Sequence, residues 1–388
     1  MKRLFGLIAC CSFMVIALTT FALGAITNSP CSDCHTMHNS QNAARMQLDD
    51  TPVSGSGAGE CLDCHADNRA ALLRLDCLGC HAKGINGSAA VITGWPQIAL
   101  NTNAAHLAGG NYKYVFADDS LGHNVHGFGS LISMDSNLGN TPPGYNANYD
   151  PSAGKYQVGQ AAAQVMCAGQ NGCHGNRDQV SPILAIKGTH HANDSMLKFG
   201  SIDEARHGGG SGGEDYITAG RSYRFLYNVH GGEDGDWEAT VGVADHNEYK
   251  GAPFGGRGQT QNWSHISTIS DLCAECHGKF HAGGLSGDSG IGSESPWLRH
   301  PTDIVLPNVD GYGVYTTYSN EAPVGRATIP NAASSAVNPG TDDAIVICLS
   351  CHRAHASGYP DILRWQYPGT IAGGGGSGGC FTCHSDKN

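Results

Sequence analysis

The chain has 388 residues, with 55 glycines, 16 cysteines and 34 acidic against 22 basic side chains. Glycine is about twice as frequent as in an average protein, and charged residues, at 14%, fall well below the usual share of about 25%. This composition disfavours a helix bundle or a coiled coil, which need many charged surface positions. The net charge of −12 also disfavours a nucleic-acid partner, because phosphate binding needs a basic surface.

The N-terminus has the order of a secretory signal. Lys2 and Arg3 precede an apolar run over residues 4–23, and the small residues Gly24 and Ala25 follow it. We therefore expect residues 1–24 to be removed on export and residues 25–388 to form the mature protein. A membrane anchor is the alternative interpretation, since the run approaches the roughly 20 residues that span a bilayer. A second alternative is a lipoprotein box ending at Cys10, which would attach the chain to a membrane by lipidation.

Apart from Cys10 and Cys11, every cysteine falls into one of seven pairs, and a histidine directly follows the second cysteine of each pair. C-x-x-C-H is the attachment site of c-type haem: the thiols form thioethers with the two haem vinyl groups, and the histidine binds the iron as proximal ligand. In chain order, motifs one to seven are Cys31, Cys34 and His35; Cys61, Cys64 and His65; Cys77, Cys80 and His81; Cys167, Cys173 and His174; Cys273, Cys276 and His277; Cys348, Cys351 and His352; and Cys380, Cys383 and His384.

Disulfides or zinc sites are the usual interpretations of paired cysteines in an exported chain. Neither explains why a histidine follows all seven pairs, so we predict seven covalently bound haem c groups. Motif four departs from the pattern, since five residues separate Cys167 from Cys173. A looped insertion could still place both thiols. Otherwise Cys173 alone would hold the haem.

Thirteen of the 20 histidines remain after the proximal ligands are assigned, which is enough to give every iron a second imidazole. Two axial imidazoles saturate an iron and keep it low-spin, as in electron-relay haems. His38, His281 and His355 lie three or four residues after a proximal histidine, too close to reach the same iron. The predicted distal ligands are His38, His123, His126, His190 (with His191 as an alternative), His281, His300 and His355.

The segments between the motifs are rich in turn-forming residues and show no fixed repeat. The long haem-free stretches, 82–166 and 175–272, carry most of the spare histidines, and we expect them to wrap around the haems. The predicted fold class is a coil-dominated multihaem cytochrome c forming one continuous body over 25–388. Short α-helices follow the haem motifs, short strands such as Arg224–Tyr227 are few, and the porphyrins form the hydrophobic core.

Three stretches carry a family resemblance: Cys31–Ser40, Leu298–Pro301 and Cys348–Gly358. They resemble the outer-surface multihaem cytochromes of metal-reducing bacteria, the OmcS/OmcE-like family, some of which polymerise into extracellular filaments. The resemblance implies haems stacked in a continuous chain of parallel and T-shaped pairs. It also implies that His38 ligates a haem iron of the next subunit, a head-to-tail contact that builds a helical filament.

The sequence thus favours an extracellular electron-transfer protein, without enzymatic activity, that polymerises with itself into a filament. Its further partners would be other cytochromes, extracellular metal oxides or electrodes. One alternative is a discrete periplasmic or outer-membrane electron carrier. A multihaem oxyanion reductase is the weaker alternative, because it needs an iron with an open distal position and spare ligands are abundant.

Overall fold

The structure is a computed structural model. It describes residues 81, 91–92, 95–100, 107, 109–115, 118–125, 141–145, 165–168, 171–174, 231–232, 234, 238–253, 268–281, 300–330 and 332–388. Motifs four to seven lie within these ranges.

Several predictions fall outside the described residues. They include the signal segment, strand Arg224–Tyr227 and the distal ligands His38, His126 and His190, together with the side chain of His281. The haem-attachment residues outside the described ranges are Cys31, Cys34, His35, Cys61, Cys64, His65, Cys77 and Cys80. The predicted haem sites of motifs one and two therefore stay predictions. Of motif three, the structure describes His81 alone.

Most described strands are only two or three residues long, compared with about 5–6 in an average domain. The strands are β1 (Val91–Ile92), β2 (Trp95–Pro96), β3 (Met166–Ala168), β4 (Gly172–His174), β5 (Gly231–Gly232), β6 (Glu248–Lys250), β7 (Ile304–Val305), β8 (Gly325–Arg326) and β9 (Ile345–Val346). The α-helix whose bounds are described is α1 (Ile269–His281). The predicted coil-rich character, with few helices and short strands, is confirmed for this part of the chain.

Apart from these strands and α1, the regular structure in the described ranges consists mostly of short 3-10 turns. They span Tyr112–Tyr114, Asp119–Leu121, Asp310–Val314, Cys348–Ser350, Pro360–Ile362, Tyr367–Gly369, Gly379–Thr382 and Ser385–Lys387. In the described part of the chain, no helix has the length and apolarity of a membrane span.

Five strands form one mixed sheet in the order β5-β6-β8-β9-β7. Strands β6 and β8 are parallel, with Tyr249 opposite Gly325, and the other neighbours are antiparallel. Two smaller pairs stand apart from this sheet, antiparallel β1–β2 and parallel β3–β4. The sheet therefore joins segments that are far apart in sequence, and it links the region before motif five to that before motif six.

A buried ion pair supports the sheet. The Nε of Arg326 donates to Oε2 of Glu248 at 2.7 Å, and both side chains are 3% exposed. The same guanidinium donates to the backbone carbonyls of Ser334 and Ala336, while Glu248 Oε1 accepts from the Ser334 backbone N–H at 2.8 Å. Burial alone would raise the pKa of Glu248, but the nearby His246 side chain, the Ser334 N–H and Arg326 lower it overall. The Glu248 carboxylate therefore stays ionised at neutral pH.

The described apolar core consists of small separate clusters. In the first, Ile269 and Leu272 of α1 pack with Ile345, Ile347 and Leu349. A second cluster lies under the turn at 310–314 and includes Tyr315, Tyr318 and Val346, among others. A third joins Tyr112, Val115, Val125 and Ala356, with Cys167 of motif four against it. Each cluster adjoins a haem motif, so ordinary side-chain packing positions the motifs.

Helical turns contain the cysteines of motifs five, six and seven, whereas those of motif four lie on β3 and β4. The sequence predicted short helices after the motifs, and helical turns do continue past His277 and His384 but not past His352. Cys273 and Cys276 lie inside α1, and Cys348 and Cys380 each begin or enter a 3-10 turn. The reason is local: in motif six the N–H groups of Cys351 and His352 both donate to the Cys348 carbonyl, at 3.2 and 3.1 Å. Beyond His352 the chain leaves the helical path, because the N–H of His355 donates to Gly109.

Candidate haem sites

Motif five lies on α1, and its histidine interrupts the helix. His277 has φ −110° and ψ 40°, outside helical values. Its Nδ1 donates to the carbonyl of Pro143 at 2.7 Å, and the ring of Phe280 stacks against it with centroids 6.0 Å apart. The kink and these two contacts fix the orientation of the imidazole.

In motif four, a pair of parallel strands brings the two cysteines to neighbouring positions. Met166 pairs with Gly172 and Ala168 pairs with His174, a register that sets Cys167 beside Cys173. The N–H of Met166 donates to the carbonyl of Asn171, which closes the loop between the strands. A side chain at Gly172 would not fit, since its Cβ would lie 2.6 Å from the backbone of Ala168. The register of the two strands thus brings Cys167 and Cys173 to neighbouring positions although five residues separate them.

Three pairs of imidazole rings lie close together, and each pair joins a motif histidine to a spare one. The ring centroids of His277 and His123 are 6.1 Å apart, those of His174 and His355 are 6.3 Å apart, and those of His384 and His300 are 6.1 Å apart. The three spare members are among the predicted distal ligands. His355, which follows the motif-six histidine by three residues, lies against the histidine of motif four.

The hydrogen bonds of these rings fix the tautomer. Nδ1 of His123 lies 2.8 Å from the carbonyl of Ala354, and Nδ1 of His300 lies 2.8 Å from that of Pro301. His277 and His352 make the same kind of contact, with Pro143 and Asp361. A carbonyl can only accept, so Nδ1 carries a proton in each of these four rings, and a metal would bind at Nε2. A backbone partner on the second nitrogen is the usual support of a metal-bound histidine.

Removal from water keeps several of these rings neutral. It lowers the pKa of His174 and of His277 to about 4 each, and neighbouring imidazoles add to the effect. The pKa of His355 falls to about 3 for the same reasons, and burial and nearby rings also lower those of His123 and His384. Neutral imidazole is the form that binds metals.

Successive motifs lie side by side. The thiols of Cys273 in motif five and Cys348 in motif six share a hydrogen bond, and Cys173 of motif four lies close enough to raise the pKa of Cys273. Burial, then Cys380 of motif seven, raises the pKa of Cys351 to about 12. Motifs four, five, six and seven are therefore spatial neighbours in chain order.

The histidine of motif three lies next to motif four. The carbonyl of His81 accepts from the backbone N–H of Ile98 at 2.8 Å, which joins it to the segment before β3. After burial, the His81 imidazole is a further cause of the low pKa of His174, and it also contributes to the low pKa of His355. Motif three is therefore a spatial neighbour of motif four, as it is in the sequence.

His246 shows how a spare histidine serves the fold instead. It is 1% exposed, its ring stacks on Tyr318 with centroids 3.5 Å apart, and its Nδ1 donates to the Gly242 carbonyl at 3.2 Å. Its Nε2 lies 3.4 Å from Glu248. His246 is thus buried in the sheet region between Tyr318 and Glu248, away from the three imidazole pairs.

Three aromatic side chains that the sequence did not single out contact the imidazole pairs. Tyr112 stacks on His355, with centroids 4.9 Å apart, and Tyr312 meets His384 edge-on at 4.9 Å. Phe280 stacks on His277. Only Phe280 has a local signal, since it lies three residues after His277 on the same helix face. Tyr112 and Tyr312 come from distant segments, which sequence spacing does not reveal.

The donor set fits haem better than zinc. The structure, as far as it is described, holds no group of three or more His, Cys, Asp or Glu side chains arranged around a metal position. Haem needs only two protein ligands, because the porphyrin supplies the other four nitrogens. The residues are therefore consistent with haem, with the cysteines for attachment and the paired imidazoles for the iron.

A comparison with known protein families first indicates the class of protein to which residues 339–388 are similar. A family model described as a doubled CXXCH motif matches residues 339–388, which contain motifs six and seven. This segment therefore has the paired attachment motif of c-type cytochromes.

A particular relative extends the match. The C-type cytochrome OmcS of Geobacter sulfurreducens is 24% identical over 420 aligned residues, which cover 92% of this chain and 84% of that protein. The resemblance to OmcS-like multihaem cytochromes that the motifs indicated is thus confirmed.

Two solved structures are also similar. One is an outer membrane cytochrome S filament from Geobacter sulfurreducens, with a TM-score of 0.41, 19% identity and coverage of 89% of this chain and 85% of that one. The other is a cryo-EM structure of OmcS nanowires from the same organism, with a TM-score of 0.42, 18% identity and coverage of 88% and 84%.

Proposed function

We propose that this chain is an electron-transfer protein that holds seven covalently bound haem c groups, each with two axial imidazoles. The three imidazole pairs carry this proposal. Imidazole nitrogens bind metals at about 2.0–2.1 Å, so two rings on opposite sides of one metal have centroids roughly 6.3 Å apart. The observed separations are 6.1, 6.3 and 6.1 Å.

The pairs give specific ligand assignments. His174 and His355 hold the iron of motif four, His277 and His123 that of motif five, and His384 and His300 that of motif seven. For motif six, we assign His126 opposite His352. His126 follows His123 by three residues, and His352 lies near both His123 and His277.

The irons of motifs one, two and three keep their predicted proximal ligands. These are His35 with Cys31 and Cys34, His65 with Cys61 and Cys64, and His81 with Cys77 and Cys80. We assign the remaining predicted distal ligands, His38, His190 and His281, to irons of these three motifs, with His38 reaching one in the next subunit. The support is the regular C-x-x-C-H spacing of all three motifs.

The function follows from saturated coordination. When bound, the haem iron accepts and releases one electron at a time. The paired imidazoles of this chain would bind the iron, would keep water and substrate from it and would limit the rearrangement that accompanies each transfer. The hydrogen bond between Cys273 and Cys348, and the effects of Cys173 on the pKa of Cys273 and of Cys380 on that of Cys351, support haem sites of motifs four to seven that lie near one another. The chain thus acts as a relay and not as an enzyme.

We further propose that the protein is exported and assembles into a filament outside the cell. The support is the sequence match to OmcS, a protein whose solved structures are described as a filament and as nanowires. His38 would ligate a haem iron of the next subunit, and electrons would pass along the polymer to other cytochromes, metal oxides or electrodes.

Single ligand variants of the haem-loaded protein test the coordination. We expect His123→Ala, His355→Ala and His300→Ala each to convert one haem of the seven from low-spin to high-spin, as measured by electron paramagnetic resonance (EPR). His246→Ala is the matched control, because it removes a buried imidazole that binds no iron, and it should leave every haem low-spin. Variants that remain fully low-spin would contradict the assignments.

A further inference from the structure

The imidazole pair of motif seven differs from the other two in the angle between its rings. The ring planes of His277 and His123 meet at 47°, and so do those of His174 and His355. The planes of His384 and His300 meet at 83°, which is nearly perpendicular. The centroid separations of the three pairs are almost the same, so the pairs differ in orientation and not in distance.

The contacts around motif seven explain this orientation. His300 donates from Nδ1 to the carbonyl of the next residue, Pro301, at 2.8 Å, and the proline ring restricts the backbone there. On the other side, the ring of Tyr312 meets His384 at 65° with centroids 4.9 Å apart. Each imidazole is therefore oriented by a separate contact.

The segment that carries Tyr312 is itself fixed to the C-terminus. The hydroxyl of Ser385 donates to the carbonyl of Gly311 at 2.8 Å. A Cβ on Gly311 would lie 2.5 Å from the backbone nitrogen of Asp386, so only glycine allows the two turns to approach this closely. Tyr312 is thereby held against the ring of His384.

Ring orientation matters because each imidazole donates π-electron density to the iron d orbital that lies perpendicular to its plane. Parallel rings act on the same orbital and separate two orbitals that would otherwise be nearly equal in energy. Perpendicular rings act on one orbital each and leave the two energies similar, which makes the ferric EPR signal strongly anisotropic. Orientation of axial ligands by their neighbours is one way in which a protein tunes a metal.

We propose that the haem of motif seven is electronically distinct from those of motifs four and five, with Tyr312 as the positioning residue that holds its axial rings perpendicular. The proposal rests on the ligation proposed above. Its ferric low-spin signal is strongly anisotropic, whereas the haems of motifs four and five give more rhombic signals. The C-terminal end of the relay therefore carries a haem with its own spectroscopic identity.

EPR of the oxidised, haem-loaded protein tests this. The spectrum of wild type minus that of His300→Ala isolates the signal of motif seven, and the same subtraction with His355→Ala and His123→Ala isolates the other two. We expect the His300 difference to be the most anisotropic of the three. A rhombic His300 difference would overturn this inference alone. A His300→Ala spectrum without a new high-spin signal would overturn the ligation and the inference together.

A second variant tests the role of Tyr312. Tyr312→Leu should keep all seven haems low-spin and shift the motif-seven signal towards the rhombic type. Tyr367→Leu is the matched control, since Tyr367 is 64% exposed, and its spectrum should equal that of wild type. An unchanged motif-seven signal in Tyr312→Leu would overturn the positioning role.

Discussion

Each described imidazole pair combines a histidine placed by its cysteines with one supplied by a distant segment. The first kind follows from spacing alone, because the C-x-x-C-H pattern fixes cysteine and ligand together. The second kind depends on tertiary contacts. His355 reaches motif four because its backbone N–H donates to Gly109 and its ring stacks on Tyr112. Neither contact leaves a pattern in the sequence.

Motif four offers a test at a single backbone position. Gly172→Ala would place a Cβ 2.6 Å from the backbone of Ala168 and force β3 and β4 apart. We expect the Cys167 thioether to be lost from most molecules while Cys173 keeps the haem. The pyridine haemochrome spectrum measures this, because a haem bound through one thioether retains a vinyl group and absorbs at longer wavelength.

The control is Gly369→Ala, where nothing lies within 4 Å of the added Cβ. This variant should reproduce the wild-type haemochrome spectrum. If Gly172→Ala also does so, the strand pairing does not set the closure of motif four.

At the scale of elements, the short strands are stabilised by buried polar contacts as much as by apolar packing. Glu248 on β6 and Arg326 on β8 are both almost fully buried. They form an ion pair with each other and hydrogen bonds with backbone groups of the loop at 334–336. Removing one partner of such a pair leaves an uncompensated buried charge. We therefore expect Glu248→Gln to lower the free energy of unfolding by about 3–5 kcal/mol, measured by denaturant titration near pH 7.

The pH dependence has a defined sign. The folded pKa of Glu248 is below its ordinary value of 4.5, so the carboxylate stabilises the fold above pH 4.5, and this contribution is lost as the pH falls through the folded pKa. The difference between wild type and Glu248→Gln should therefore shrink in acid. Asp386→Asn removes an exposed ion pair with Lys387 and should leave unfolding unchanged. A Glu248→Gln curve equal to this control would contradict the role of the buried pair.

The helical turns at the haem motifs show which local features the sequence predicts and which it does not. The thiol spacing correctly places Cys348 and Cys351 on one turn, but the sequence extended helices beyond the motifs. After His352 the backbone instead pairs with Leu363 as an isolated bridge, and the N–H of Arg353 donates to Ile362. These partners come from the loop that returns about ten residues later, and helix propensity does not predict such a pairing. His246 is a second case of this kind. Its sequence context does not distinguish it from the proposed iron ligands, and only its burial against Tyr318 does.

At the scale of the whole molecule, the neighbouring motifs define a path. The cysteine contacts put motifs four to seven in chain order, and the proposed polymer would extend this path between subunits through His38. We expect His38→Ala to abolish filaments while the subunit keeps its haems, because an iron ligand at the contact fixes the register of one subunit on the next.

Negative-stain microscopy and haem quantification measure the two effects separately. The matched control is Asn39→Ala, the neighbouring residue, which carries no imidazole and should polymerise normally. Filaments of wild-type length in His38→Ala would contradict ligation between subunits.

The most direct test of the account is cryo-electron microscopy of the haem-loaded protein isolated from the cell surface. We expect filaments in which each subunit holds seven haems in an unbroken chain, with His123, His300 and His355 on the irons of motifs five, seven and four. Discrete particles would favour a separate electron carrier. An iron without a distal histidine, or a gap in the haem chain, would contradict the proposed relay.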